Sequence, residues 1–243
     1  MSDVLVERDG SIATVVFNRP RMRNAISLAM WTETARVTQA LGGDEEVRAI
    51  VYRGSGRQAF ASGADISEFE EQRKDTASSL HYGAATEAAY TAIRRCPKPT
   101  VAMIFGYCMG GAMAVAMACD FRFAAEGARF GIPAARLNII YPSSSVGQLV
   151  DLVGPSRAKD ILFSARAVDD RERVTYDYQR GVADNAPLSV RGSKLTVELY
   201  LEGLDDDRRR RLRELSLETF ASQDEKEGTR AFLEKRPPRF QGR

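Results

Sequence analysis

The sequence predicts an α/β fold followed by a helical tail, and three observations carry that expectation. Short apolar runs alternate with glycine turns and helix-like stretches from Val4 to Phe130. Two of the glycine turns share one layout: Phe60-Ala61-Ser62-Gly63-Ala64-Asp65-Ile66 and Gly106-Tyr107-Cys108-Met109-Gly110-Gly111-Ala112 each follow an apolar run and precede a helix-like stretch. From about Thr175 onward the apolar period is helical almost throughout.

The elements follow in order. Val4 to Arg8 and Ile12 to Phe17 flank Asp9-Gly10, a hairpin signal. Ser27 reads as the N-cap of a helix running to about Leu41 and stopped by Gly42-Gly43. Ala49 to Tyr52 reads as a buried strand, and the charged stretch Glu68 to Asp75 as the opening of a long helix that ends before Pro97. Pro99 to Phe105 is the next strand, Gly110 to Ala118 a helix of small residues, and Asp120 to Ala125 and Ala128 to Phe130 return as strands. In the tail, Pro187 suits a first helical turn, Asp205-Asp206-Asp207 a helix start, and Pro237-Pro238 the end of the last helix. The organisation expected is a core over residues 1–174 and a helical region over residues 175–243.

Composition narrows the function classes. The 35 basic and 33 acidic residues of the 243 leave a net charge of only +2, so no overall field points to nucleic acid, though a compact anionic ligand stays open. The run Arg208 to Arg211 reads as a solvated helix face or, alternatively, a phosphate patch. Cys96, Cys108 and Cys119 match neither a zinc nor a disulfide spacing and read as free thiols. No metal site is expected, no apolar span is long enough to cross a membrane, and the N-terminus has no signal-peptide pattern, so a soluble cytoplasmic protein is the expectation.

The chemistry expected of the two glycine segments is backbone chemistry. A glycine turn that ends a strand and opens a helix aims free N–H groups outward, and two such groups converging on one point make an oxyanion hole. Glycine at 63 and at 111 lets backbone approach a ligand where any Cβ would intrude.

Together these segments resemble the crotonase superfamily, the enoyl-CoA hydratase/isomerase family. The resemblance runs through Asn18-Arg19-Pro20 with Arg23-Asn24-Ala25, Ala61-x-Gly63-Ala64-Asp65-Ile66, Pro97-Lys98-Pro99-Thr100-Val101-Ala102, and Gly106-Tyr107-x-x-Gly110-Gly111. It continues through Ala118-Cys119-Asp120, Phe130-Gly131-Ile132-Pro133, Val153-Gly154-Pro155-x-Arg157-Ala158, and Asp224-x-x-Glu227-Gly228-x-x-Ala231-Phe232-x-Glu234-Lys235-Arg236. It implies a spiral of ββα units, a C-terminal helical trimerisation region, and a homotrimer or homohexamer. The implied substrate is an acyl-CoA thioester, with coenzyme A arriving as part of it and no permanently bound cofactor.

By position, the resemblance implies that the amides of Ala64 and Gly111 hold the thioester oxygen. Arg23, Ala25, Ala61, Gly63, Asp65, Ile66 and Gly110 would line the nucleotide and pantetheine path, and Phe220 and Lys235 would contribute from a neighbouring subunit's tail. The two glutamates of the family's hydratases would stand where this chain has Ala114 and Ala134. Hydration is therefore not the expected reaction, and an acyl-CoA enzyme of other chemistry or a non-catalytic acyl-CoA-binding member are both open. Tyr141, followed by Pro142-Ser143-Ser144-Ser145, stands where methylmalonyl-CoA decarboxylases of the superfamily have a tyrosine; those enzymes carry histidine at the position of Ala64. Tyr141 reads as a functional acid or orienting donor, or as a packing aromatic whose hydroxyl finds a partner. The serines read as acyl contacts or a helix cap, His81 as a surface or lid residue, and Glu68, Glu70 and Glu71 as a solvated helix start. After Arg173 the chain is shorter than the family's usual pattern.

Overall fold

Gly10 reverses the chain between β1 (Val4–Asp9) and β2 (Ile12–Phe17), which pair antiparallel from Val4↔Phe17 to Asp9↔Ile12. The remaining neighbours of this sheet are parallel: β2 with β3 (Ala49–Gly54), β3 with β5 (Thr100–Ile104), and β5 with β7 (Phe121–Ala124). Burial alternates with the pleat, so Ile50 and Tyr52 on β3 and Ala102 and Ile104 on β5 share one covered face. Parallel neighbours need long crossovers, which is where the helices come from.

The computed structural model describes residues 2–168 and 185–243, which gather into two units. The first is Met1–Glu68 with Leu80–Phe130, and the second is Phe69–Ser79 with Gly131–Arg243. The expected boundary at 174/175, the start of the helical period at Thr175 and the shortened stretch after Arg173 all lie outside the described residues.

In the first unit, α1 (Leu28–Gly43) begins at Ser27, whose hydroxyl accepts from the Met30 amide, as its sequence position predicts. A second cap was not foreseen: Glu68, forty residues on, accepts from the Leu28 amide at 2.8 Å, so it is not simply part of a solvated helix start. The helix also absorbs Gly42 and Gly43, and Asp44 ends it. A second, three-stranded sheet of β4 (Ala59–Ala61), β6 (Tyr107–Met109) and β8 (Arg129–Gly131) lies inside the two glycine segments and beyond them. Phe17 meets Phe60 edge-on, with ring centroids 5.6 Å apart, in a core that includes Ile26, Met30 and Trp31. Cys108 and Cys119 are free and buried, and burial pushes both thiols well above their ordinary range, so they stay protonated.

The charged stretch after Ile66 differs from expectation. It forms a short turn of helix, α2 (Phe69–Gln72), and the long helix α3 (Thr76–Arg94) starts afresh. Asp75 explains the break, because its carboxylate accepts from the Ser78 amide at 2.7 Å and caps α3. His81 is exposed on α3.

The second unit is helical. It contains α5 (Ser143–Ser164), interrupted at Gly154-Pro155, then α6 (Pro187–Leu201), α7 (Asp206–Phe220) and α8 (Gln223–Leu233). Pro187 opens α6, and the Asp205 side chain caps α7 by accepting from the Arg208 amide. The arginine run lies on a largely exposed face of α7, with Arg208 bridging to Asp205 and Arg210 to Asp207. Ser143 to Ser145 are the first turn of α5 rather than its cap, which falls on Pro142. Helix α8 ends four residues before Pro237, where Lys235 adopts φ 55° and the Arg236 amide closes back onto the Ala231 carbonyl at 3.0 Å. Among the described residues no helix is long and apolar enough to cross a membrane.

Candidate functional site

The two glycine segments come together because β4 and β6 are parallel neighbours, with Ala59 opposite Tyr107 and Ala61 opposite Cys108. Three residues beyond the last pair, the chains reach Ala64 and Gly111, respectively. Gly63 has φ 106°, a conformation L side chains rarely adopt, and a Cβ there would stand 3.0 Å from the Met109 carbonyl oxygen. Gly110, at φ 52°, caps α4 (Gly111–Ala118), whose N-terminus begins at Gly111.

The neighbours of Ala64 are committed elsewhere. The Gly63 carbonyl accepts from Ile26 at 2.8 Å, and the Asp65 amide donates to the Ile26 carbonyl at 2.9 Å. This leaves the amide between them pointing away from the bridge. Among the described residues, neither the Ala64 nor the Gly111 amide has a hydrogen-bond partner. Both residues are partly exposed, so water or a ligand can reach them. At Gly111 the positive end of the helix dipole adds to the donor.

Gly111 also rests on aromatic rings. A Cβ there would lie 3.0 Å from Trp31 Cζ2 and 3.2 Å from the Tyr90 hydroxyl. Trp31 meets Tyr90 edge-on at 5.4 Å, and its indole N–H donates to the Tyr82 hydroxyl at 3.1 Å. Sequence reasoning missed this cluster. The eight-residue spacing that puts Tyr82 and Tyr90 on one helix face was its available signal.

The other residues named from the resemblance fall into different settings. Arg23 is exposed, with φ 49°, and its guanidinium sits 5.4 Å over the Tyr107 ring. Beside it Asn24 is buried and donates to the Ala59 carbonyl at 2.9 Å, holding the Arg23-Asn24-Ala25 corner against the start of β4. Ala25 and Ala61 are buried, and Ile66 is partly exposed. Asp65, 5% exposed, accepts from Arg19 Nη1 at 2.7 Å and from Ser67 Oγ at 2.6 Å. Burial alone would raise its carboxyl, but the Ser67 and Arg19 hydrogen bonds outweigh it and hold the group below the usual carboxylate range. Asp65 thus braces the loop that presents Ala64, and Arg19, which also donates to the Ala25 carbonyl at 2.9 Å, is a bracing partner the sequence did not single out.

Ala114 is buried within α4 of the first unit. In the second unit, Ala134 lies on a 3-10 turn over Pro133–Arg136 and its carbonyl accepts from both Leu137 and Ile139. Tyr141 is 6% exposed and immediately precedes Pro142 and α5. Phe220 stacks on the Arg73 guanidinium at 4.7 Å, with Phe69 on that group at 3.5 Å and Glu225 3.8 Å away. Lys235 is exposed. Among the described residues no group of three His, Cys, Asp or Glu could hold a metal ion.

Comparison with known proteins adds four findings. The enoyl-CoA hydratase/isomerase family profile matches residues 7–176. The chain is 30% identical to the crotonyl-CoA hydratase of Syntrophomonas wolfei, covering 98% of this chain and 97% of that one. Among solved structures, it resembles an enoyl-CoA hydratase/carnithine racemase from Magnetospirillum magneticum, with 30% identity, TM-score 0.68, and 100% and 97% coverage of the two chains. It also resembles a methylmalonyl-CoA decarboxylase in complex with 2-nitronate-propionyl-CoA, with 25% identity, TM-score 0.77, and 100% and 99% coverage.

Proposed function

The chain belongs to the enoyl-CoA hydratase/isomerase family, and on that premise we propose that it binds an acyl-CoA thioester and stabilises its enolate between the amides of Ala64 and Gly111. The observation that carries this reading is the pair of unpartnered amides, each three residues beyond the last paired residues Ala61 and Cys108. A thioester oxygen gains negative charge as the enolate forms, and fixed donors aimed at it are worth roughly 3 kcal/mol each. Coenzyme A enters with the substrate, and the reading needs no resident cofactor. The helical second unit would assemble the chain as a homotrimer or homohexamer, to be tested by light scattering.

Hydration is not the reaction proposed. Alanine stands at 114 and 134, where the family resemblance puts the hydratase glutamates, and a positioned acid or base is typically worth about 10²- to 10⁴-fold. A malonyl-type decarboxylation is the specific second reading, favoured by the likeness to a methylmalonyl-CoA decarboxylase. There the bond from the α-carbon to the carboxylate breaks and CO₂ leaves. The electron pair becomes the thioester enolate held by the two amides, and a proton from Tyr141 or water quenches it. No general base is required.

Incubation with crotonyl-CoA, methylmalonyl-CoA and a 3-hydroxyacyl-CoA, followed by mass spectrometry, tests the proposal. Loss of CO₂ from methylmalonyl-CoA supports the second reading, and binding without turnover of any of the three favours a non-catalytic acyl-CoA-binding protein. Gly111→Pro removes one amide and should abolish enolate chemistry, so unchanged turnover would sink the oxyanion assignment. Tyr141→Phe with unaltered kinetics would dismiss its proton-donating role.

A further inference from the structure

Between the Glu68 carboxylate that caps α1 and the Asp75 carboxylate that caps α3, the chain leaves the first unit, and Phe69–Ser79 gathers with the helical second unit. Glu70, Glu71 and Lys74 of this stretch are exposed. Phe69 and Arg73 are the residues it buries, four apart on one turn, with the Arg73 amide donating to the Phe69 carbonyl at 2.9 Å. The Arg73 guanidinium meets the Phe69 ring at 3.5 Å and the Phe220 ring of α7 at 4.7 Å. Its Nη1 stands 3.8 Å from Glu225 Oε1 on α8, and both side chains are only 8% exposed. The two charges have thus left water without the close contact that Arg19 makes to Asp65 at 2.7 Å, so attraction repays the loss of hydration only in part. The Glu225 carboxyl records the imbalance: burial raises it above the ordinary glutamate range, although Arg73 opposite, the Thr229 hydroxyl and Lys226 on its own helix all pull it down.

We propose that Phe69–Lys74 is a strap with Arg73 as its catch, poised to release from α7 and α8 while both units stay folded and the Ala64 loop stays braced. Three features support it. The catch is a buried charge pair at long range, the kind of tie that puts a segment at the low-stability end of a fold. The strap is short and its outer side chains are already in water, so release uncovers little beyond Phe69 and Arg73. The ties of the Ala64 loop, Asp65 to Arg19 and Glu68 to Leu28, lie in the first unit and do not involve the catch. Release also depends on pH. Glu225 regains water in the open strap and titrates in its ordinary range there, whereas the closed strap holds its proton to higher pH. The closed state is therefore favoured at low pH and loses ground as pH rises from the ordinary glutamate range through the raised one.

Cleavage of the full chain by a lysine-specific endoproteinase tests this, because Lys74 lies in the strap and Lys159 lies inside α5, where only unfolding of the helical unit exposes the backbone. At low protease the rate at each lysine follows the population of its open state. Arg73→Met leaves the Glu225 carboxylate buried opposite an apolar group and should speed cleavage at Lys74 by about tenfold or more. Arg73→Met with Glu225→Leu replaces the pair by apolar groups and should slow it by about tenfold relative to the wild type. The ratio of wild-type to Glu225→Gln cleavage at Lys74 should climb as pH rises out of the ordinary glutamate range. Cleavage at Lys159 should stay within about twofold in every variant. So should amide exchange at Ile26 and Asp65, whose bonds to the Gly63 and Ile26 carbonyls flank Ala64. Rates at Lys74 that ignore the substitutions, or that change in step with Lys159, would overturn the strap, the second outcome marking a merely structural pair. Faster exchange at Ile26 and Asp65 in Arg73→Met would overturn its independence from the Ala64 loop, and a flat ratio would overturn the role of Glu225.

Discussion

Gly63→Ala tests how the loop that presents Ala64 is held. At φ 106° an alanine sits in a region costing on the order of 1–3 kcal/mol. Its Cβ would press to 3.0 Å on the Met109 carbonyl oxygen, which belongs to backbone and cannot swing aside. Overpacking of that kind costs about 1–3 kcal/mol, whereas the stiffer unfolded chain returns only about 0.4–1 kcal/mol. The net is a loss of roughly 1–6 kcal/mol, or about 2–24 °C in melting temperature for a chain of this size. Gly43→Ala is the control: it lies in α1 with nothing within 4 Å of the new Cβ, and should raise stability by up to about 1 kcal/mol. Urea denaturation of both variants reads the stabilities, and titration with crotonyl-CoA reads the site. The displaced Met109-Gly110 backbone should also cost Gly63→Ala at least about tenfold in affinity, since donors must keep hydrogen-bond range. A Gly63→Ala protein with wild-type midpoint and wild-type affinity would refute the reasoning.

The remaining predictions concern electrostatics and packing. Asp65→Asn breaks a mostly buried pair with Arg19 and should destabilise by about 2–4 kcal/mol at neutral pH, measured by urea titration. The folded Asp65 carboxyl is held below its unfolded value, so its contribution is present above the ordinary carboxylate range and is lost as pH falls below it. Asp65→Asn should therefore flatten the acid limb of the stability curve. Glu227, pushed down to about 2 by Arg236 and the Arg239 amide, holds residues 236–239 against α8. Glu227→Gln should open this tail to carboxypeptidase at pH 7, while the wild type should stay protected until the pH falls from the ordinary glutamate range through about 2. Gly147→Ala would put a Cβ 2.6 Å from the Tyr200 ring between α5 and α6 and should cost about 1–3 kcal/mol in chemical denaturation.

Local chemistry made much of the fold legible. Ser27, Pro187 and Asp205 each start a helix where their side chains dictate, because a cap depends on neighbours three residues away. β4 and β6 were not legible as strands, since three residues are too few for a period-2 pattern to emerge from a glycine turn. The break before α3 turned on Asp75, whose charge blends with the run around it but whose carboxylate bonds to Ser78. Glu68 could not be read as a cap of α1, because its partner is forty residues back.

The sequence by itself determined the α/β class, the family, and the two glycine segments whose amides are the candidate donors. It also placed alanines at 114 and 134, which turns the proposed chemistry away from hydration. Tertiary structure alone decided that β4 and β6 lie side by side, and so that Ala64 and Gly111 each follow three residues after the last paired residues Ala61 and Cys108. It likewise decided that Asp65 is a brace tied to Arg19, and that Trp31 and Tyr90 stand against Gly111. The division has a physical cause. Caps, turns and glycine conformations follow from interactions within a few residues, whereas strand register and ring packing depend on segments forty to eighty residues apart being buried together.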